Sequence, residues 1–346
     1  MPTWGEILKE VQASARARGP LGPDMDGLRL KYLQNLHKLT GRAVIAYVSG
    51  WLQKNDVPSL SVEPSDVHGL METCYEVKER ELDLVLHSPG GSAEAAEQML
   101  EYLRTQFDYI RAIVPLQAKS AATMMALGCD EILMGDHSEL GPIDPQILIP
   151  TPEGTRFAPA HAILRDFARA KKECKEDIGD LPAWTPILRS YAGGLIEFCN
   201  QQVQLSINVV ENWLAKFMLK HPDVGLTDDA MRQRKANDIA NWFGSQESYD
   251  RFRSHARPMR LPELKGQGLR IKALEDDDAL QDAVLSIYHA CDLTFNFTPA
   301  VKLIENHLGR RKVNMAERIL VQQRHLKEQK VPKSREERRR LERGKH

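Results

Sequence analysis

Apolar positions recur along this chain with two different periods, and the changes between them outline the elements. Ala43 to Ser49 (AVIAYVS) is a short, uninterrupted apolar run rich in β-branched residues, which predicts a buried strand. Leu82 to His87 (LDLVLH) and Ile110 to Leu116 repeat that character, and Glu131 to Met134 does so more briefly. Between the strands the period lengthens. Asp66 to Glu79 is helical in pattern, and Ala93 to Phe107 places Ala96, Met99, Leu100, Leu103 and Phe107 on one face of a helix. Ser120 to Leu127 is a short apolar helix of small residues. Strand–helix–strand–helix–strand at this spacing predicts a parallel sheet with crossover helices.

Outside that block, residues 1–40 read as two helical pieces separated by GPLGPDMDG. Pro150 to Thr155 reads as a loop, followed by helices over Ala160 to Asp177, Pro186 to Lys220, residues 227–243 and Asp276 to His289. The second half is thus expected to be mostly helical, with no strand-rich second domain. The last sixteen residues hold seven Lys/Arg against three Glu and almost nothing apolar, so 311–346 is expected to be a charged, disordered tail.

Composition narrows the function. A net charge of -1 over 346 residues excludes bulk electrostatic binding of nucleic acid. The five cysteines, none at CxxC spacing, suggest neither a disulfide framework nor a zinc knuckle, so no metal is expected. No apolar stretch has the length of a membrane span or signal peptide, which points to a soluble, cytoplasmic protein. Phosphate-binding GxxxxGK(S/T) and GxGxxG sequences do not occur, and no cofactor is expected.

Three motifs could carry chemistry. His87-Ser88-Pro89-Gly90-Gly91-Ser92 lies between a strand and a helix. Its glycines permit positive φ, so that N–H groups can point out of the turn and bind an oxyanion or a phosphate. Gln117 to Met125 runs a strand into a helix of small residues that starts at Ser120. There the helix dipole would favour an alkoxide, and the Ala121 N–H can aim at the same spot. His137 to Gln146 (HSELGPIDPQ) is a rigid turn. Taken singly, each has a plainer explanation, as a tight turn or a helix N-cap serine.

Their order and spacing resemble the Clp/crotonase superfamily and, within it, the serine dehydrogenase proteinase family, relatives of signal peptide peptidase A. The residues that carry the likeness are HSPGG (HTPGG in that family), AKSAATMMALGCDEILMG and HSELGPIDPQI. RAVIAYVSG upstream and SHARPMRLPELKGQGL downstream extend it over roughly residues 40–310. The resemblance implies a spiral of parallel strands with surrounding helices and a helical C-terminal half, preceded by an N-terminal helical segment, 1–39. It further implies a serine peptidase with Ser120 as nucleophile and Gly90, Gly91 and Ala121 as oxyanion donors. A peptide or protein substrate and a homo-oligomer go with it.

The proton acceptor is left open. Signal peptide peptidases use a lysine some way after the serine, where this chain has Lys171, Lys172 and Lys175 beside Arg165, a guanidinium that stays protonated. Such a lysine works only if burial lowers its pKa. Clp peptidases use Ser-His-Asp. At the matching positions this chain has Asp144 where they have His, and His255 where they have Asp, so a Ser120/His255/Asp144 group with exchanged residue types is the alternative. The lysine dyad is placed ahead of it. Lys119 is expected to point elsewhere. Two rivals stand beside the peptidase: an acyl-CoA enzyme of the crotonase branch, whose members generally have Gly at the Ser120 position, and a catalytically inactive scaffold.

Overall fold

A computed structural model describes residues 3–316 except 55, 56, 152 and 153. The first strand, β1 (Ala43–Ser49), is buried along its whole length. Its alternate side chains serve two separate hydrophobic layers: Ala43, Ile45 and Tyr47 enter one, and Val44, Ala46 and Val48 the other. A strand covered on both faces is apolar at every position, which is why this run reads so strongly in the sequence.

β2 (Glu81–His87), β3 (Tyr109–Val114) and β5 (Glu131–Met134) extend the sheet in parallel from β1, and β9 (Ile271–Ala273) closes that side. On the other side β10 (Ala300–Asn306) and β11 (Arg311–Met315) add antiparallel, giving seven strands in the order β11-β10-β1-β2-β3-β5-β9. Two short pairs lie apart: β4 (Gln117–Ala118) with β6 (Glu139–Leu140), and β7 (Gln146–Thr151) with β8 (Gly154–Pro159).

The helices α1 (Trp4–Arg18) and α2 (Met25–Thr40) supply Ile7, Val11, Leu33 and Leu36 to the second layer. The first layer is covered by α3 (Val67–Cys74), α4 (Ala93–Gln106) and α5 (Ala121–Leu127), then by the later helices. These are α6 (Ala160–Glu176), α8 (Leu195–Lys216), α9 (Asp229–Gly244), α10 (Gln246–Phe252) and α11 (Leu261–Gly266), while α7 (Leu181–Arg189) packs against α6. α12 (Asp278–Phe297) returns to the second layer. Buried charges in β10 are paired: Lys302 Nζ lies 2.8 Å from Asp66 Oδ2, and Glu305 Oε1 accepts from Arg29 Nε at 2.7 Å. No helix among the described residues is long and apolar enough to cross a membrane.

Some expectations change. Pro150, Thr151, Gly154 and Thr155, in the segment taken as a loop, pair in the β7–β8 hairpin, whose exposed apolar residues hid the pairing. The helix expected over Pro186 to Lys220 breaks after Arg189 and restarts at Leu195, with Gly194 at positive φ (82°) as its N-cap. The helix begun at Asp66 stops at Cys74. The late strands β9, β10 and β11 went unnoticed. β11 shows that Arg311 to Met315 pair in the sheet rather than belong to a tail, since only one face of an edge strand needs apolar residues. The basic segment from 317 onward lies outside the described residues.

Candidate active site

Ser120 leaves the short strand β4 and opens α5 with φ 51° and ψ −118°, outside the regions that L-residues normally occupy. Its hydroxyl caps no backbone N–H of the helix, so the N-cap explanation does not describe it. Ser92 is the N-cap serine of this region: its Oγ accepts from Ala95 N at 3.0 Å and starts α4. Two backbone bonds, Ser88 N to Gln117 O and Lys119 N to Ser88 O, both 3.0 Å, stitch the HSPGG turn to the approach to Ser120.

Gly90 sits at φ 90°, and a Cβ there would lie 2.6 Å from Ser120 Cβ and 2.5 Å from Lys119 O. Gly91, at φ 153°, is held against Val62: Val62 N donates to Gly90 O at 2.7 Å and Ser92 N to Val62 O at 3.0 Å. Only glycine fits either position. The Gly90 N–H donates to Ser88 Oγ at 3.2 Å, which commits it to the turn. The Ala121 N–H is the first of the helix and, like every N–H of a first turn, has no intrahelical acceptor.

Asp144 and His255, separated by 111 residues, meet here. His255 Nδ1 lies 2.7 Å from Asp144 Oδ1, and Asp144 Oδ2 accepts from Gln146 Nε2 at 2.8 Å. The carboxylate is almost fully buried, whereas His255 is about a quarter exposed. With Nδ1–H donating to the Asp144 carboxylate, the Nε2 lone pair is free. His255 reaches this place because its segment pairs with β6 through Leu140 and Met259, in two bonds of 3.0 Å. Ser120, Gly90, Gly91 and His255 line one cavity of about 810 Å³, whose apolar wall includes Ile147, Leu148, Phe157 and Phe198. A serine hydroxyl and an oriented imidazole on one cavity, with the Gly91 backbone beside them, are groups that acyl transfer uses.

The lysines are placed differently. Lys171 and Lys172 lie on the exposed face of α6, whose buried side presents Ala160, His161, Ile163 and Ala170. Lys172 Nζ is 4.0 Å from Glu176 Oε1 and three-quarters exposed, and neither side chain lines the cavity. Nor does Lys119. Burial pushes its ammonium down, but Nζ is held 3.1 Å from Glu139 Oε1 and 3.2 Å from Leu140 O. His87 is buried against Trp51 and Tyr288, accepts from Gln117 N at Nδ1, and is pushed down to about 4 by desolvation.

Residues 69–277, more than half of the chain, match the family model of the ClpP-like SDH-type serine proteinases. The chain belongs to that family. Two uncharacterised proteins of Methanocaldococcus jannaschii are each 41% identical to this SDH-type proteinase, over 70 and 66 residues, which is 20% and 19% of this chain. Those stretches span only 24% and 23% of the relatives' own lengths. Among solved structures, a serine-to-alanine variant of the membrane-bound stomatin-specific protease 1510-N aligns at 13% identity and a TM-score of 0.35, covering 61% of this chain and 74% of that one. A lysine-to-alanine variant in complex with a substrate peptide aligns at 15% and 0.24, covering 56% and 76%. Both likenesses are too distant to carry a site residue across.

Sequence reasoning missed Gln146 as the partner of Asp144, Val62 as the clamp on Gly91, and the apolar wall. Gln146 stood in a motif already singled out. The wall had no local signal, because Leu148, Phe157 and Phe198 come from a hairpin and a helix that only the fold brings together.

Proposed function

We propose that this SDH-type proteinase hydrolyses peptide bonds with Ser120 as nucleophile and His255, oriented by Asp144, as general base. The observation that carries the proposal is the His255–Asp144 bond of 2.7 Å on the cavity that also holds the strained Ser120. His255 Nε2 takes the Ser120 Oγ proton as Oγ attacks the peptide carbonyl. The N–H groups of Gly91 and Ala121 receive the developing oxyanion, Gly90 being spent on Ser88 Oγ. The proton then passes from His255 to the leaving amine. A water deprotonated by the same nitrogen releases the acyl group, and Ser120 is restored.

The apolar wall beside Ser120 favours substrates with apolar side chains next to the cleaved bond. A Ser–Lys dyad would require Lys171 or Lys172 to be desolvated at the cavity, and both face solvent. The decisive experiment is fluorophosphonate labelling of the wild type, Ser120→Ala, His255→Ala and Lys171→Ala/Lys172→Ala. Labelling lost in the first two and retained in the last supports this assignment. Loss in the double-lysine variant with the fold intact reverses it in favour of the dyad.

A further inference from the structure

At the amino ends of the same parallel strands, three side chains from distant parts of the chain converge. His37 lies in the last turn of α2, Glu79 just before β2, and His307 just after β10. One ligand atom from each lies within 4.8 Å of the others. Glu79 Oε1 is 3.8 Å from His37 Nε2 and 3.9 Å from His307 Nε2, and the imidazoles stack with centroids 4.1 Å apart.

Two observations separate this group from a chance surface cluster. His307 is 2% exposed, and its Nε2 is buried without a hydrogen-bond partner, a state that costs free energy and is rare in folded proteins. His37 Nδ1 meanwhile bonds Arg42 O at 2.7 Å, which keeps the ring proton on Nδ1 and leaves the Nε2 lone pair on the side of Glu79. A histidine oriented through one nitrogen and open at the other is the usual state of a metal ligand.

We propose that His37, Glu79 and His307 bind one Zn²⁺, which ties α2 and the entry to β2 onto the end of β10. Two imidazoles and a carboxylate suit zinc. Zinc–ligand bonds of about 2.0–2.2 Å at tetrahedral angles put donor atoms about 3.4 Å apart, so each Nε2–Oε1 distance closes by about half an ångström. Rotation of the partly exposed Glu79 supplies part of that movement, and the stacked, nearly parallel rings require the partly exposed His37 imidazole to tilt as well, pivoting on its Nδ1 bond to Arg42 O, so that both Nε2 lone pairs meet on one ion. Zinc on His307 Nε2 requires the ring proton on Nδ1, which then donates to Val44 O at 3.4 Å and gives up the 3.1 Å bond now accepted from Val44 N, a cost that the ion's binding has to exceed.

The exposed edges of His37 and Glu79, 29% and 27%, give the ion an entry path and leave its fourth position to water. Because the site lies at the opposite strand ends from Ser120, the ion acts on stability and not on catalysis.

The test is calorimetric titration of chelator-treated full chain with ZnCl₂, alongside melting curves. One Zn²⁺ per chain and a raised Tm are expected. His37→Ala and Glu79→Gln, both at partly exposed positions, should fold and cleave peptide like the zinc-free wild type. Each should weaken zinc binding by more than about 100-fold, beyond the 10–100-fold loss typical when a residue merely orients a ligand. Absence of stoichiometric binding to the wild type overturns the site, and so does unchanged affinity in those two variants.

Discussion

The carboxyl and amino ends of the parallel strands handle polar groups in opposite ways. At the carboxyl ends backbone conformation is strained: Ser120 sits at φ 51° without capping its helix, Gly90 and Gly91 pack against it and against Val62, and an open cavity lies beside them. At the amino ends the side chains cross-link instead. Arg42 Nε binds Glu81 at 2.7 Å, Arg29 spans Glu305 and Asp26, and His37 is held by Arg42 O. Strained backbone persists only where its surroundings over-determine it, and it costs of order 1–3 kcal/mol per residue. A fold that accepts that cost at one end of its strands and cross-links the other keeps reactivity and stability apart.

Substitutions at the carboxyl ends should therefore abolish turnover with little loss of stability. Ser120→Ala is expected to cut kcat by about 10⁶-fold, with His255→Ala close behind, because members of a catalytic group are strongly non-additive. Steady-state peptide cleavage measured beside a melting curve checks both, and a Tm that collapses along with activity would erase the contrast. Asp144→Asn should cost about 10⁴-fold by letting the imidazole take the wrong tautomer. Labelling rates across pH separate this from unfolding, and wild-type rates would remove Asp144 from the proposal.

A third measurement concerns His87, at the carboxyl end of β2. In the fold it is held at about 4 against an ordinary value of 6.5, so between those values the unfolded chain binds a proton that the native chain does not. Stability should then decline as pH falls from 6.5 towards 4, by as much as about 3 kcal/mol, with no contribution from this residue above 6.5. Denaturant unfolding of the wild type and His87→Gln should show a shallower acid slope in the variant. An identical slope would place the acid-sensitive group elsewhere. The smallest effect is expected for Lys171→Ala and Lys172→Ala on the solvated face of α6: activity within a factor of about two, and stability within about 0.5 kcal/mol. A large loss of peptide cleavage in either variant would break the comparison by moving proton transfer to α6.

What could be read in advance follows the range of the forces. β1, β2, β3 and β5 are buried on both faces, so their apolar runs stand out without any knowledge of neighbours, and Ser120 with its glycine turn follows from local backbone chemistry. The serine-to-lysine spacing of the resembled family placed Lys171 and Lys172 ahead of His255 even though their segment reads as a charged helix face, and α6 turns both lysines to solvent, away from its buried Ala170. The Asp144–His255 contact spans 111 residues and depends on Leu140 pairing with Met259, a bridge no periodicity announces. β10 escaped notice because Lys302, Glu305 and Asn306 interrupt it, and these are buried only by virtue of partners on α2, Asp66 and Thr73.

The two margins of the seven-stranded sheet have a consequence for how copies of this protein behave when crowded. β9 is only three residues long and carries Lys272, while β11, at the other margin, opens with Arg311 and Lys312. Short, cationic rims are poor templates for a strand from another molecule, because each added chain would have to desolvate like charges for few new backbone bonds. Addition of further strands to this sheet is thereby disfavoured at both margins.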